Sequence, residues 1–153
     1  MAKIPKRQKP ARWKLKTPKG RKDGTDHWVY LWRNKDNPDL GYVGMSSQDP
    51  RKYRASSQNP DFWRDLNGGR LVREIIVSGI SGMRAAILEY AIYNKMISPP
   101  NGSIKEFYNS SCARPTFVKE DSINAALVKT CVLICKQNGK QGWKRKKGRI
   151  VFY

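Results

Sequence analysis

The chain has 153 residues, 39% of them hydrophobic, and a formal charge of +19. That length supports one domain with tails, and the lack of any apolar run approaching roughly 18–20 residues excludes a membrane-spanning helix. A basic N-terminus without an apolar signal core, and three cysteines (Cys112, Cys131, Cys135) that suit reduced thiols, predict a soluble, non-secreted, cytoplasmic chain with no membrane partner.

Residues 1–22 hold ten Lys/Arg and no acid, and residues 136–149 hold seven and no acid. The stretch between them carries fourteen basic residues against all twelve acids, so it is near neutral. Two polycationic ends repel each other and ask for a polyanion, of which nucleic acid is the usual one. Lys14, Lys16, Lys19 and Arg21 in the first block, and Lys144, Arg145, Lys146 and Lys147 in the second, are the candidate phosphate contacts. Prolines at 5, 10 and 18 and no apolar period predict a disordered or extended arm over 1–23. Trp13 in that arm either stacks on a base or tucks against the domain.

The next stretch, HWVYLWRNKDNPDLGYVG (27–44), reads as a β-hairpin. Apolar arms with aromatic and β-branched residues flank the turn formers Asn37-Pro38-Asp39, and each arm carries one tyrosine, Tyr30 and Tyr42. Pro50 opens an expected short helix over 50–57, with Arg51 and Arg54 on one face. A second short helix is expected over 61–66, stopped by Asn67-Gly68-Gly69. Residues 70–78 read as a third strand. Ser81 caps a helix over 82–97 that ends before Pro99-Pro100, and Phe107-Tyr108 is a candidate short strand. A last helix over 122–137 is stopped by Asn138-Gly139, and the basic tail closes in Ile150-Val151-Phe152-Tyr153, a candidate docked strand. Cys131 and Cys135 are expected as buried core residues, since no histidine or third cysteine stands near enough in sequence for zinc. This order predicts an α/β (α+β) fold, with a small three-stranded antiparallel sheet flanked by helices. The expected divisions are an arm at 1–23, a domain at 24–115, and a helix with a basic tail at 116–153.

The helix over 82–97 is apolar nearly all round, which is the mark of a buried helix. Glu89 is its one carboxylate. Such a residue either sits at an exposed rim or is paired or holds a cation. His27, the only histidine, reads as a surface or packing residue beside the first strand. Arg64, Arg70, Arg73 and Arg84 read as a solvated or DNA-facing surface.

WVY (28–30) and YVG (42–44), followed by an arginine-bearing segment, a strand and a helix with one glutamate, resemble the GIY-YIG nuclease module. The resemblance covers about residues 26–111, and its phage and mobile-element members, homing endonucleases among them, share the small size. It implies a fold with basic tails added, a Glu89-bound divalent metal, and an arginine phosphate clamp for which Arg54 and Arg51 compete. It also implies a supporting Asn109 in Phe107-Tyr108-Asn109, and a bacterial or phage-infected host cell. Trp28 departs from the first glycine of the motif, and no histidine follows the arginine, so Tyr30 stands without that partner.

Hydrolysis of a phosphodiester needs a deprotonated water, neutralised phosphoryl charge and a stabilised leaving oxygen. On the resemblance, Tyr30 takes the proton, Tyr42 positions the water, Arg54 or Arg51 holds phosphate oxygens, and Glu89 holds Mg2+ or Mn2+. The reading is therefore a metal-dependent DNA endonuclease, with a dimer on DNA as an open arrangement for cutting both strands. The rival is a non-catalytic nucleic-acid-binding protein, for DNA or RNA, on an inactive scaffold, in which the tyrosines merely pack the hairpin.

Overall fold

The computed structural model describes residues 25–115 and 119–153. The expected arm at 1–23, with Trp13, Lys14, Lys16, Lys19 and Arg21, lies outside the described residues. The fold is mixed α and β. In chain order it has β1 (His27–Asn34), β2 (Leu40–Ser46), α1 (Pro60–Asn67), β3 (Leu71–Ile80), α2 (Gly82–Tyr93), β4 (Glu106–Phe107), α3 (Glu120–Asn138), β5 (Trp143–Lys146) and β6 (Arg149–Phe152).

The expected hairpin forms, with β1 and β2 antiparallel and Tyr30 opposite Gly44, Trp32 opposite Tyr42. β3 lines the other side of β1, also antiparallel, with a register shift between Val29 and Tyr30. The sheet has four strands in the order β3-β1-β2-β4, not three. The fourth, β4, pairs in parallel with Leu40 and Gly41 of β2. A short strand is expected at Phe107-Tyr108 and lies at Glu106–Phe107, but its pairing into the sheet is a tertiary fact that local sequence does not show.

Alternation along β1 sorts its side chains to two faces. Val29 and Leu31, with Val43, pack among Ala85, Leu88 and Ile92 of α2 and Ile123, Leu127, Cys131 and Ile134 of α3. Trp28, Tyr30 and Tyr42 build the opposite, aromatic layer with Phe62 and Leu66 of α1, Leu71 and Tyr108. Cys131 and Cys135 are buried free thiols, as expected. No helix among the described residues is long and apolar enough to cross a membrane.

Two helical expectations are corrected. Residues 50–57 make only a turn followed by extended chain. The Asp49 carboxylate accepts from the Arg51 backbone N–H (2.9 Å), and the Asp49 carbonyl accepts from Lys52 and Tyr53. The carbonyls that would continue a helix are then taken by side chains. Arg73 donates to Pro50 and Tyr53 (both 2.7 Å), Trp32 to Arg54 (2.9 Å) and Trp63 to Ser57 (2.9 Å). α2 stops at Tyr93 rather than 97, because Met96 and Ser98 bond to Ile150 of β6 instead (2.9 and 2.8 Å). Lys95, at φ 59°, makes the turn out of the helix. The expected docked strand at the end of the tail forms as β6, and it pairs with β5, so residues 143–152 fold as a hairpin.

A buried polar chain ties four parts of the aromatic side together. Asn34 Nδ2 donates to the Tyr108 hydroxyl (3.0 Å), which donates to Asp65 Oδ2 (2.6 Å). Arg70 and Arg64 reach Asp65 Oδ1 at 3.1 and 3.4 Å. Burial and the Asp65 carboxylate push the Tyr108 phenol up to about 12. The Tyr108 hydroxyl, with Arg70 and Arg64, holds the Asp65 carboxyl below its ordinary value. Tyr108→Phe should cost about 1–3 kcal/mol in chemical denaturation, since it strands a buried acceptor and donor. A carboxyl with a depressed folded pKa stabilises fully above its unfolded value, near about 4, and loses that contribution as pH falls through the lower folded value. The Tyr108→Phe penalty should therefore shrink below about pH 4; a pH-independent penalty would contradict this coupling.

Candidate active site

Four of the sequence-nominated residues converge on the β1–β2 hairpin. The rings of Tyr30 and Tyr42 stand side by side on the aromatic face, 6.2 Å between centroids. Tyr30 is only 1% exposed. Its hydroxyl leans over Gly44 of the paired strand, so closely that a Cβ there would overlap the phenol oxygen and Cζ. The glycine of YVG is thus required by the tyrosine of WVY, across one pair of the ladder.

Glu89 is half-buried on α2, and its charge reaches both Tyr30 and Cys112. Burial, then the neighbouring Tyr42 and Tyr53 hydroxyls and the Glu89 carboxylate, hold the Tyr30 phenol well above its ordinary value. Burial and Glu89 likewise push the Cys112 thiol up, so it stays protonated. Asn109 clasps Val43, the residue between Tyr42 and Gly44: its Oδ1 accepts from the Val43 N–H (3.0 Å) and its Nδ2 donates to the Val43 carbonyl (2.9 Å).

The two arginine candidates have exposed side chains. Arg51 forms a surface pair with Asp49 (3.0 Å) and its side chain is 88% exposed. Arg54 is exposed too, with its backbone carbonyl held by Trp32. Neither is on a helix. The arginine on the aromatic face is Arg73, its guanidinium 5.1 Å from the Trp28 ring centre and 5.5 Å from that of Trp32. Alternation along β3 puts Arg73 on the same face as Leu71, which was the available signal. Arg70 is tied to Asp65 and Arg84 to the buried Thr130 hydroxyl (3.2 Å), while Arg64 reaches Asp65 from an exposed, solvated position as expected. His27 lies 3.0 Å from Asp26 at the start of β1, as a packing and surface residue.

Tyr53 is the neighbour the sequence did not nominate. It sits in the extended segment, its ring 6.1 Å from Tyr30 and its hydroxyl bonded to those of Tyr30 and Ser56. Its place follows from the segment not being helical, which no local pattern announces.

Among the described residues no three His, Cys, Asp or Glu side chains gather as a metal site. The Tyr30 hydroxyl and the protonated Cys112 thiol feel the Glu89 charge. That set suits a hard ion that keeps several waters, such as Mg2+ or Mn2+, and not a soft thiolate-bound metal. Comparisons with known protein families, with curated proteins and with solved structures find no match to this chain.

Gly44→Ala must displace the Tyr30 ring. It should cost about 1–3 kcal/mol by overpacking, read as a lower urea midpoint at unchanged slope. Adding Tyr30→Ala should restore part of the loss in a double-mutant cycle; strictly additive effects would show that the two residues do not meet.

Proposed function

We propose that the chain is a DNA endonuclease of the GIY-YIG type, hydrolysing phosphodiester bonds with a divalent metal held at Glu89. The observation that carries this reading is the meeting of Tyr30, Tyr42 and the charge of Glu89 at one hairpin, in the order of elements that the resemblance implies. The charge of +19 supports a polyanionic substrate.

In this reading Glu89 would hold Mg2+ or Mn2+, which supplies neutralising charge to the phosphate and the leaving oxygen. Tyr30 accepts the water proton at its phenol oxygen. Its bond to Tyr53 leads that proton towards the half-buried Tyr53 and on to the exposed Ser56 hydroxyl. Tyr42 orients the water. Asn109 holds Tyr42 and Gly44 in register through Val43. Phosphate oxygens fall to Arg54 or Arg51, which have exposed side chains, whereas Arg73 is engaged with backbone carbonyls.

The deep burial of Tyr30 favours a second reading, in which the same hairpin is an inert scaffold and the protein binds DNA or RNA without cutting it. A supercoiled-plasmid nicking assay with Mg2+ or Mn2+ separates them. Glu89→Gln and Tyr30→Phe should each lower the nicking rate by about 100-fold or more while leaving the fold intact. Wild-type protein that nicks no DNA would decide for the scaffold, and a fully active Glu89→Gln would remove the metal assignment.

A base with a raised pKa is mostly protonated at neutral pH, so its active fraction grows as pH rises towards that pKa. Nicking should then climb by about tenfold per pH unit between pH 7 and 9. Tyr30→Phe should flatten that profile, and an equally steep profile in the variant would take the base role away from Tyr30.

A further inference from the structure

The β5–β6 hairpin leaves its strongest feature unexplained by the core. From Ser122 to the last residue the chain has no acid, and residues 143–149 read WKRKKGR. A two-stranded ribbon is marginal alone. This one is anchored: Ile150 is 1% exposed, and its backbone bonds to Met96 and Ser98. Trp143 and Phe152 pack against the same core. Register then sorts the cations. Arg145 pairs with the buried Ile150 on the core-facing side, though its own side chain stays exposed, and its charge reaches Cys131 of α3. Lys144, Lys146 and Arg149 fall on the other face, with Lys147 at the turn between the strands. Lys144 Nζ lies 5.9 Å over the Tyr153 ring.

At the root of the ribbon is a small depression lined by Lys95, Ser98, Ser103 and Arg149 against Ile97 and Ile104. Ser98 and Ser103 bond to each other (3.1 Å), and Arg149 reaches Ser103 (3.4 Å). Two cations and two hydroxyls wall it, and its lining includes no acid. Lys95 Nζ is already bonded to the Lys105 carbonyl (2.8 Å) and the depression has no room for a further group, so Arg149 is the cation it adds to those of the ribbon.

We propose that the outer face of the β5–β6 ribbon, with Arg149 at its root, forms a preformed binding surface for duplex DNA backbone. A two-stranded ribbon is narrow enough to lie along a groove about 12 Å wide while its lysines reach the flanking phosphates. Only the identity of the polyanion rests on the endonuclease reading; the surface itself does not.

The test is fluorescence anisotropy of the full chain on a labelled duplex of about two helical turns, over a salt series without divalent ions. Lys144→Ala with Lys146→Ala removes two outward charges. Lys129→Ala with Lys136→Ala removes two from exposed positions on α3 as a charge-matched control. The ribbon pair should reduce the slope of log affinity against log salt by about 2, at about 0.9 per lost phosphate contact, and the control pair by less than about 0.5. Arg149→Gln should remove about one further unit. Equal effects of the two pairs would reduce the ribbon to general charge and overturn the proposal. A ribbon effect on single-stranded RNA but not on the duplex would overturn the choice of partner. Glu89→Gln should leave these slopes unchanged. A failed nicking result therefore does not touch the ribbon, and a failed slope result does not touch the nuclease reading.

Discussion

The aromatic site depends on how the outer edge of β2 is closed. β4 covers that edge only at Leu40 and Gly41. At Val43 the carboxamide of Asn109 takes over, offering one donor and one acceptor as a peptide unit would. It continues the ladder for one residue without adding a strand. The preceding residue, Tyr108, turns into the aromatic layer and bonds to Asp65 and Asn34. One dipeptide therefore fixes both the edge carrying Tyr42, Val43 and Gly44 and the layer against which the tyrosines pack. Ordinary peptide geometry at Gly44 then leaves room for the Tyr30 hydroxyl and nothing larger than a hydrogen.

The extended segment after β2 obeys the same accounting of backbone groups. Its sequence has a proline start and helix-tolerant residues, yet its carbonyls are spent on Arg73, Trp32 and Trp63. Arg73 is central because it stacks by two indoles and donates to two carbonyls at once, which a lysine's point charge does not reproduce. The consequence for the site is Tyr53. A helix would direct it by its own period, whereas the pinned chain presents it to Tyr30.

The hairpin, β3, α1 and α3 were legible because each is long enough for aromatic, β-branched or apolar spacing to show, with glycine or asparagine at its ends. The short strand at Phe107 was legible too, but its parallel pairing with Leu40 and Gly41, which makes it the sheet's fourth strand, was not. The early end of α2 is set by Ile150, more than fifty positions away, and nothing near Tyr93 announces it. At the site, the tyrosines and Glu89 were legible from type and order. Arg51 and Arg54 were nominated on a helix that does not form, so their positions were not. Arg64, Arg70 and Arg84 show the general difficulty: a cation's partner is a tertiary fact, and composition alone cannot separate a tie to Asp65 or Thr130 from an open surface.

The electrostatics of Tyr30 set what the site can do. Burial disfavours its phenolate, and Tyr42, Tyr53 and Glu89 each add to that, so the resting hairpin holds a protonated, well-packed tyrosine. One of those contributions differs in kind. Burial and the tyrosine neighbours are fixed by the core, but the Glu89 charge is a single carboxylate that a cation would neutralise or reverse. A neutralised Glu89 also ceases to hold the Cys112 proton, so the same event would be felt at a thiol that takes no part in the proposed chemistry. The proton affinity of Tyr30 therefore depends on the charge at Glu89 more than on any other neighbour that a bound group could change.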